Sequence, residues 1–243
     1  MSANFTAVWR PGSGAQSWAA EETFVDFKTL DQNHFDAGLR LRILQIDSNG
    51  SHSGVWVPGT GSQHWQSGMS FEELKTLDAA FFAQGRRMVC VDCVNDLTSD
   101  DGWYALWQPG TGAQFWRVGL SVDQFTQQDA GFFAEGLRLV HMRHDAGGSE
   151  TFLGLWRPGS GAQHWRSLEP VDLTALSLLN AQREAAGERL VALPNYGLNA
   201  IWRSGTGPSP FVFATDVASL KAEDTKLFKE GFRLSDFGIG FSV

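Results

Sequence analysis

The chain has 243 residues, of which 42% are hydrophobic and 12% aromatic, so it has enough apolar material for a core and is not a largely disordered protein. Its formal net charge of −8 argues against a nucleic-acid partner, which is bound through clustered Lys and Arg. No apolar run is long enough to insert into a membrane, and the first residues lack the pattern of a signal peptide. We therefore expect a protein that is cytoplasmic or released without a signal peptide.

A tryptophan followed by a short glycine-rich turn recurs along the whole chain. The first tryptophan of each copy is Trp9, Trp56, Trp107, Trp156 or Trp202. Nine positions later comes a second aromatic residue, which is Trp18, Trp65, Trp116, Trp165 or Phe211. Such a period is the signature of a repeat architecture. The sequence thus predicts one repeat domain over 1–243, with units of approximately 4–50, 51–101, 102–150, 151–197 and 198–243.

The third unit shows the predicted elements in order. An aromatic stretch at 103–107 predicts a first strand, the turn at 109–112 leads back along a second strand at 113–118, and 137–143 predicts a third strand. A helix is predicted between Ser121 and Gly136, where the serine is a helix-capping residue and the glycine suits a left-handed helix end.

The other units carry the same helix signals. A Ser, Thr or Asp lies fifteen residues before each closing glycine, at Thr23, Ser70, Ser121, Asp172 and Asp216. The closing glycines are Gly38, Gly85, Gly136, Gly187 and Gly231. Each unit is therefore predicted to be strand, strand, helix, strand, and a short polar link then joins the third strand to the next first strand as a hairpin within a shared antiparallel sheet.

Five such α/β units can be arranged in two ways. The chain begins on a first strand and ends after a third strand, so the two ends can pair and remove exposed sheet edges. An open solenoid normally needs polar capping repeats, which the sequence lacks. We therefore predict a closed five-fold α/β propeller, with an open solenoid as the alternative.

The unit Trp-x-Pro-Gly-(Ser/Thr)-Gly-Ala-Gln-x-Trp, followed by a capped helix and a Leu-Arg-Leu strand, resembles the polyglycine-hydrolase-like structural repeat, earlier described as a bacterial tandem repeat domain. In that family the repeats commonly accompany a serine hydrolase domain that resembles a β-lactamase. The resemblance implies a scaffolding or recognition role for the repeats themselves. This chain contains no Ser-x-x-Lys, so the nucleophile motif of the hydrolase has no counterpart here.

The sequence does not indicate an enzyme. It contains no Gly-x-Ser-x-Gly, no His-Glu-x-x-His and no phosphate-binding loop, and we assign no catalytic residue, no metal ligand and no cofactor. Cys90 and Cys93 are interpreted as two ordinary thiols in a reducing compartment, because a spacing of three positions on a strand places their side chains on opposite faces.

Two charged positions also recur. An arginine lies two residues after each closing glycine, at Arg40, Arg87, Arg138, Arg189 and Arg233. An acidic residue lies seven positions before each closing glycine, at Asp31, Asp78, Asp129 and Asp224, and Asn180 occupies this position in the fourth unit. The pattern predicts a repeated ion pair between helix and strand. An arginine ring that binds an anion is the alternative.

The candidate binding site is the turn with its second strand. A glutamine stands two residues before each second tryptophan, in the pairs Gln16 and Trp18, Gln63 and Trp65, Gln114 and Trp116, and Gln163 and Trp165. On a strand this spacing places both side chains on one face. In a sugar site, the sugar ring stacks on an indole, and an amide forms hydrogen bonds with the hydroxyls of the sugar. The alternative is that these residues pack between repeats and satisfy the turn.

The fifth copy has lost the glutamine and the second tryptophan, which favours a binding role over a folding role for the pair. We therefore expect a non-enzymatic, multivalent, lectin-like protein with a glycan or cell-surface ligand. The alternative function is a recognition or scaffold module of a cell-wall or peptide hydrolase system.

Overall fold

The computed structural model describes residues 3–145, 150–168, 172–194 and 199–241. These residues form two compact bodies. The central body comprises Ala15–Gly159, and the terminal body comprises Met1–Gly14 with Ser160–Val243. The predicted boundary between the fourth and fifth sequence units, at 197/198, lies outside the described residues.

Fifteen strands and five helices are formed by the described residues. In chain order they are β1 Ala3–Pro11, β2 Ser17–Glu22, α1 Phe24–Asp36, β3 Leu39–Ile46, β4 His52–Pro58, β5 His64–Met69, α2 Phe71–Ala83, β6 Arg86–Cys93, β7 Trp103–Pro109, β8 Phe115–Leu120, α3 Val122–Ala134, β9 Leu137–Asp145, β10 Thr151–Pro158, β11 Gln163–Ser167, α4 Leu173–Ala185, β12 Glu188–Ala192, β13 Asn199–Ser204, β14 Phe211–Ala214, α5 Val217–Lys229 and β15 Phe232–Phe241. The predicted order of strand, strand, helix, strand is confirmed.

The central body contains three antiparallel sheets of one design. Their strand orders are β2-β4-β3, β5-β7-β6 and β8-β10-β9. In each sheet the central strand is the first strand of one sequence unit, and both outer strands come from the unit before it. The predicted hairpin between a third strand and the next first strand is therefore present. By contrast, the glycine-rich turn after each first strand does not make a hairpin, because it leads to the edge strand of the next sheet.

The terminal body contains the other two sheets, with orders β11-β13-β12 and β14-β1-β15. In the second of these, β1 from the start of the chain lies between two strands from its end. The pairing runs along nearly all of β1, from Ala3 opposite Phe241 to Pro11 opposite Phe232. The two ends of the chain thus complete one sheet, as expected, while closure into a propeller remains a prediction.

The helices begin and end where the sequence predicts. Their N-caps are Thr23, Ser70, Ser121, Asp172 and Asp216, and each side chain accepts a hydrogen bond from a first-turn amide. Glu73 and Gln124 complete the capping boxes of α2 and α3. The closing glycines all have positive φ, between 75° at Gly85 and 89° at Gly231. None of the helices in the described ranges is long and apolar enough to cross a membrane.

The first tryptophan of each copy forms the core. All five indoles are fully buried. Apolar residues of the adjacent helices pack on these indoles. The ring centroids of Phe27 and Trp56 are 5.2 Å apart, and those of Phe125 and Trp156 are 5.4 Å apart. The strand pairing shifts by one residue beside each of these tryptophans, which is a β-bulge at the same position of every sheet.

The recurring arginine joins each helix end to the following turn. Arg87 donates from Nε to the carbonyl of Gly112 at 2.7 Å and from Nη1 to the carbonyl of Phe82 at 3.2 Å, and its guanidinium lies 3.6 Å from the Phe82 ring centroid. Arg40 makes the same contacts with Gly61 and Phe35. The predicted ion pairs of Arg40 with Asp31 and of Arg87 with Asp78 are therefore wrong, because these arginines bind backbone carbonyls.

We expect Arg87→Lys to destabilise the fold by about 2 kcal/mol, because an ammonium group cannot bridge both carbonyls while stacking on Phe82. The measurement is the urea midpoint followed by tryptophan fluorescence. Arg42→Lys is the matched control, since Arg42 is exposed on β3. Equal midpoints for the two variants would contradict this role of Arg87.

A buried polar cluster joins two third strands of the central body. Asp92 on β6 accepts a hydrogen bond from Arg143 on β9 at 2.8 Å, and His141 Nε2 lies 3.6 Å from the other carboxylate oxygen. Burial raises the pKa of Asp92, but Arg143 and His141 together outweigh burial and hold it below the usual 3.8. The ionised carboxylate therefore stabilises the folded state at pH values above about 4.

Because the pKa of Asp92 is depressed on folding, its contribution to stability is lost as the pH falls below the usual value of 3.8. Asp92→Asn leaves Arg143 buried without its carboxylate, at a cost of about 3 kcal/mol near neutral pH. We expect the difference between the urea midpoints of the two proteins to be large near neutral pH and to shrink as the pH is lowered. A difference that does not change with pH would show that Asp92 does not carry this charge.

Candidate functional site

Two of the predicted glutamine and tryptophan pairs lie where a second strand meets the helix of the preceding sheet. In the central body this junction is seen twice, at Gln63 with Trp65 beside α1 and at Gln114 with Trp116 beside α2. All four side chains are half-buried. Both members of each pair contact the same helix residue, so the predicted common face is present.

One carboxylate organises each junction. Asp31 Oδ1 accepts from the buried Trp56 indole at 2.8 Å and from Gln63 Nε2 at 2.7 Å, and Asp31 Oδ2 accepts from the Trp65 indole at 2.8 Å. Trp56 belongs to the sheet that α1 covers, whereas Gln63 and Trp65 lie at the edge of the next sheet. The aspartate therefore joins two neighbouring sheets.

The second junction repeats this geometry. Asp78 accepts from Trp107 at 3.0 Å, from Gln114 at 2.9 Å and from Trp116 at 2.9 Å. The amide oxygen of Gln114 accepts in turn from the backbone amide of Met88 at 2.6 Å. The amide nitrogen and the amide oxygen of Gln114 are thus both hydrogen-bonded within the protein. This leaves the amide less capacity to donate to or accept from a sugar hydroxyl.

The remaining predicted pairs occupy the same sequence positions. Trp18 lies on β2, with Gln16 just before it, and Gln163 and Trp165 lie on β11. All four side chains are half-buried. The first tryptophans of the same copies also donate to a helix aspartate. Trp9 donates to Asp224 and Trp156 donates to Asp129, each at 2.8 Å.

The fifth copy shows what replaces this arrangement. Its second aromatic is Phe211, and Ser209 stands at the glutamine position. The helix residue is Asn180, which accepts from the Trp202 indole at 3.0 Å. Glu184 accepts from Ser209 Oγ at 2.8 Å and from the Asn180 amide at 3.3 Å.

The aspartate is therefore replaced at the same junction that lacks the glutamine and second tryptophan, since Asn180 of the fourth unit bonds Trp202 of the fifth. With one indole to satisfy rather than two indoles and an amide, a neutral asparagine is sufficient. The loss of the pair in one copy no longer separates a binding role from a folding role. The sequence contained this signal, because Asn180 is the only departure from aspartate at its repeat position.

An open groove of about 430 Å³ lies beside Trp116. Its walls are α2 and β8. Phe71, Lys75 and Asp78 come from the helix, and residues 114–118 come from the turn and strand. Phe71 packs edge-on against Trp116, with 5.8 Å between centroids. No sequence pattern indicates Phe71, Lys75 or Arg117 as site residues, because the helix and the strand that carry them are far apart in the chain.

The Trp65 junction has matching neighbours. Phe24 packs edge-on against Trp65 with 5.9 Å between centroids, in the position that Phe71 holds at Trp116. Lys28 stands three residues before Asp31, as Lys75 does before Asp78. The aromatic pair with a nearby lysine is thus present in two copies of the central body.

The two cysteines make separate contacts. Cys90 and Cys93 are buried thiols that approach different backbone carbonyls, those of Leu44 and Asp101. Burial raises the pKa of Cys93 to about 11, so its thiol stays protonated near neutral pH. Within the described ranges no three His, Cys, Asp or Glu side chains are placed to hold a metal ion.

Comparison of the chain with protein-family models, with curated proteins and with solved structures found no match. The resemblance to the polyglycine-hydrolase-like repeat therefore remains an expectation from the sequence.

We expect Asp78→Asn to destabilise the fold by about 2–3 kcal/mol, because one carbonyl oxygen cannot accept from two indoles and an amide, and a half-buried donor is left unpaired. The measurement is the urea midpoint. Asp123→Asn is the matched control, since Asp123 is exposed in the first turn of α3. If both variants were equally stable, the shared carboxylate would not hold the two sheets together.

Proposed function

We propose that the protein is a non-enzymatic, multivalent binding protein of the lectin type, and that carbohydrate binds in the groove beside the second tryptophan. The observation that carries the proposal is the groove next to Trp116, which is open, partly aromatic and bordered by two cationic side chains. Ligand sites are commonly concave, with a few polar groups that fix orientation.

The orientation of the indole supports stacking of a sugar ring. Asp78 holds the Trp116 N–H on the inner side at 2.9 Å, and Phe71 supports the ring from the helix. The ring is half-buried, so part of it is open to solvent in a fixed position. A rigid aromatic surface loses little conformational entropy on binding.

Lys75 and Arg117 are the proposed donors to the ligand hydroxyls, in place of the internally bonded Gln114. Lys75 is partly exposed and pairs with Glu72 on its own helix. Arg117 is exposed, its Nη1 donates to the carbonyl of Trp116 at 2.8 Å, and its guanidinium lies 6.0 Å from the Phe115 ring centroid. Both side chains carry donors that suit hydroxyl or carboxylate groups of a glycan.

Repetition supplies the multivalency. Trp65 has the same aromatic neighbour and the same lysine position as Trp116, and the sequence repeats the pair at Trp18 and Trp165. Weak sites on one chain raise overall affinity when the ligand is displayed on a surface.

A specific observation favours the runner-up, a scaffold or recognition module of a hydrolase system. Asp31 and Asp78 bind the predicted site residues from within, so glutamine and tryptophan have a sufficient explanation as joints between sheets. In that case the surface that binds a partner lies elsewhere.

Glycan-array screening followed by calorimetry with the best oligosaccharide tests the proposal. We expect the double variant Lys75→Ala with Arg117→Ala to lose one of the four predicted sites from the binding stoichiometry, with an unchanged melting temperature, because both side chains lie at the surface. Lys229→Ala is the control, since this exposed lysine ends α5 far from any second tryptophan in sequence.

Trp116→Phe separates ligand binding from folding, because Phe211 already occupies this position in the fifth copy. A silent glycan array together with binding to a Gly-rich peptide or a hydrolase would favour the scaffold. Turnover of an ester or peptide that a single Ser or His substitution abolishes would instead show an enzyme.

A further inference from the structure

A second groove, of about 550 Å³, lies in the terminal body at the corresponding place of the fifth copy. One wall is α4 with Asn180, and the opposite wall is the segment from Pro208 to Phe211. In the repeat this segment aligns with the turn and strand that line the groove at Trp116. The copy that lost its glutamine and second tryptophan has therefore kept a groove, and its lining differs.

The charge of this groove is opposite to that of the groove at Trp116. Two glutamates line it, Glu184 from the last turn of α4 and Glu230 from the end of α5. Among the described residues that line it there is no lysine or arginine. The groove at Trp116 instead has Lys75 and Arg117, and its carboxylate is saturated by three donors.

Arg189 and Arg233 lie near these helix ends but do not line the groove, and Lys226, one turn before Glu230 on α5, pairs with Glu223 at 2.9 Å. Arg189 donates to the carbonyls of Gly207, Glu184 and Glu188, and Arg233 donates to those of Gly14 and Phe228. Their guanidinium groups are thus engaged by the backbone behind the walls. The carboxylate of Glu184 accepts from Ser209 and from Asn180, which fix its position.

Most of the remaining lining is apolar. Phe211 and Phe232 present half-buried rings. Pro208 and Pro210 restrict the backbone just before Phe211. A carboxylate beside an aromatic ring is the combination that holds a cationic side chain, because the ring face attracts positive charge and the carboxylate accepts its N–H groups.

We propose that this groove binds a peptide segment through a lysine or arginine side chain. The cation is placed against Glu184 and Glu230, and its aliphatic stem lies on Phe211 and the prolines. A volume of about 550 Å³ exceeds that of one side chain and has room for the flanking backbone. This site is independent of the proposed carbohydrate site, since it lies in the other body and has the opposite charge.

The test uses the full chain and three capped tripeptides, acetyl-Gly-Lys-Gly-amide, its arginine counterpart and its norleucine counterpart. Binding is followed by calorimetry and by NMR of the lysine ε-methylene signals. We expect both cationic peptides to bind, and the norleucine peptide to bind at least tenfold more weakly. Raising the salt concentration should weaken only the cationic peptides.

Charge-removing variants locate the site. Glu230→Gln should weaken the lysine peptide about two- to fivefold, as expected for an exposed pair. Glu184→Gln keeps an acceptor for Ser209 and Asn180, and it should weaken binding about tenfold because this carboxylate is partly buried. Glu135→Gln is the matched control, since Glu135 is the C-cap of α3 as Glu230 is of α5, and it should leave affinity unchanged.

Equal binding of the norleucine peptide would overturn the proposal, and so would the absence of binding to either cationic peptide. An equal loss in Glu135→Gln and Glu230→Gln would also overturn it, because attraction would then come from net charge alone. The Lys75 and Arg117 variants should bind the lysine peptide normally, so failure of the carbohydrate proposal is distinguishable from failure of this one.

Discussion

The hydrogen bond from a buried indole to a helix side chain is the interaction on which each repeat depends. A tryptophan buried without a partner for its N–H would lose much of what its large apolar surface contributes. The chain meets this requirement five times with one helix position, at Asp31, Asp78, Asp129, Asn180 and Asp224. The same bond fixes the helix over its sheet, because it joins the helix surface to the central strand.

The charge of the aspartate allows it to do more than satisfy one indole. Asp31 and Asp78 each accept three donors, of which two come from the next sheet of the central body. A carboxylate has enough lone pairs for this, whereas an amide has one acceptor oxygen. The neutral residue at Asn180 is accordingly found where the demand is one indole. Neighbouring sheets are thus coupled through polar bonds as well as apolar packing.

This coupling leaves a groove open on the outer side of the joint, and the lining of that groove varies among copies. At Trp116 the groove is aromatic and cationic, and at Phe211 it is aromatic and acidic. The charged residues that differ are exposed or half-buried, so the fold restricts them less than it restricts the buried tryptophans. A repeat of this kind provides one framework with several surfaces, and both proposals for ligands rest on those surfaces.

Local signals in the chain predicted the helices well, because their physical basis is local. A capping side chain bonds an amide two or three residues away, and a closing glycine has positive φ in its own backbone. The burial of the first tryptophans also follows from the sequence, since a large apolar residue at every repeat has few other places to lie. The partners of the repeated arginines were not predicted. Arg87 donates to the carbonyls of Phe82 and Gly112, and the spacing of residues in the sequence does not show that these carbonyls lie close together.

The sequence by itself therefore determined the repeat, the order of its elements, the helix ends and the core tryptophans, all of which depend on neighbours within a few residues or on strong burial. Only the tertiary structure decided which sheet each second strand joins, since the turn after each first strand crosses to the next sheet. It also decided that Gln114 and Trp116 share Asp78, and which side chains border the open groove. These contacts join residues from separate elements, and their distances follow from packing that no local pattern records.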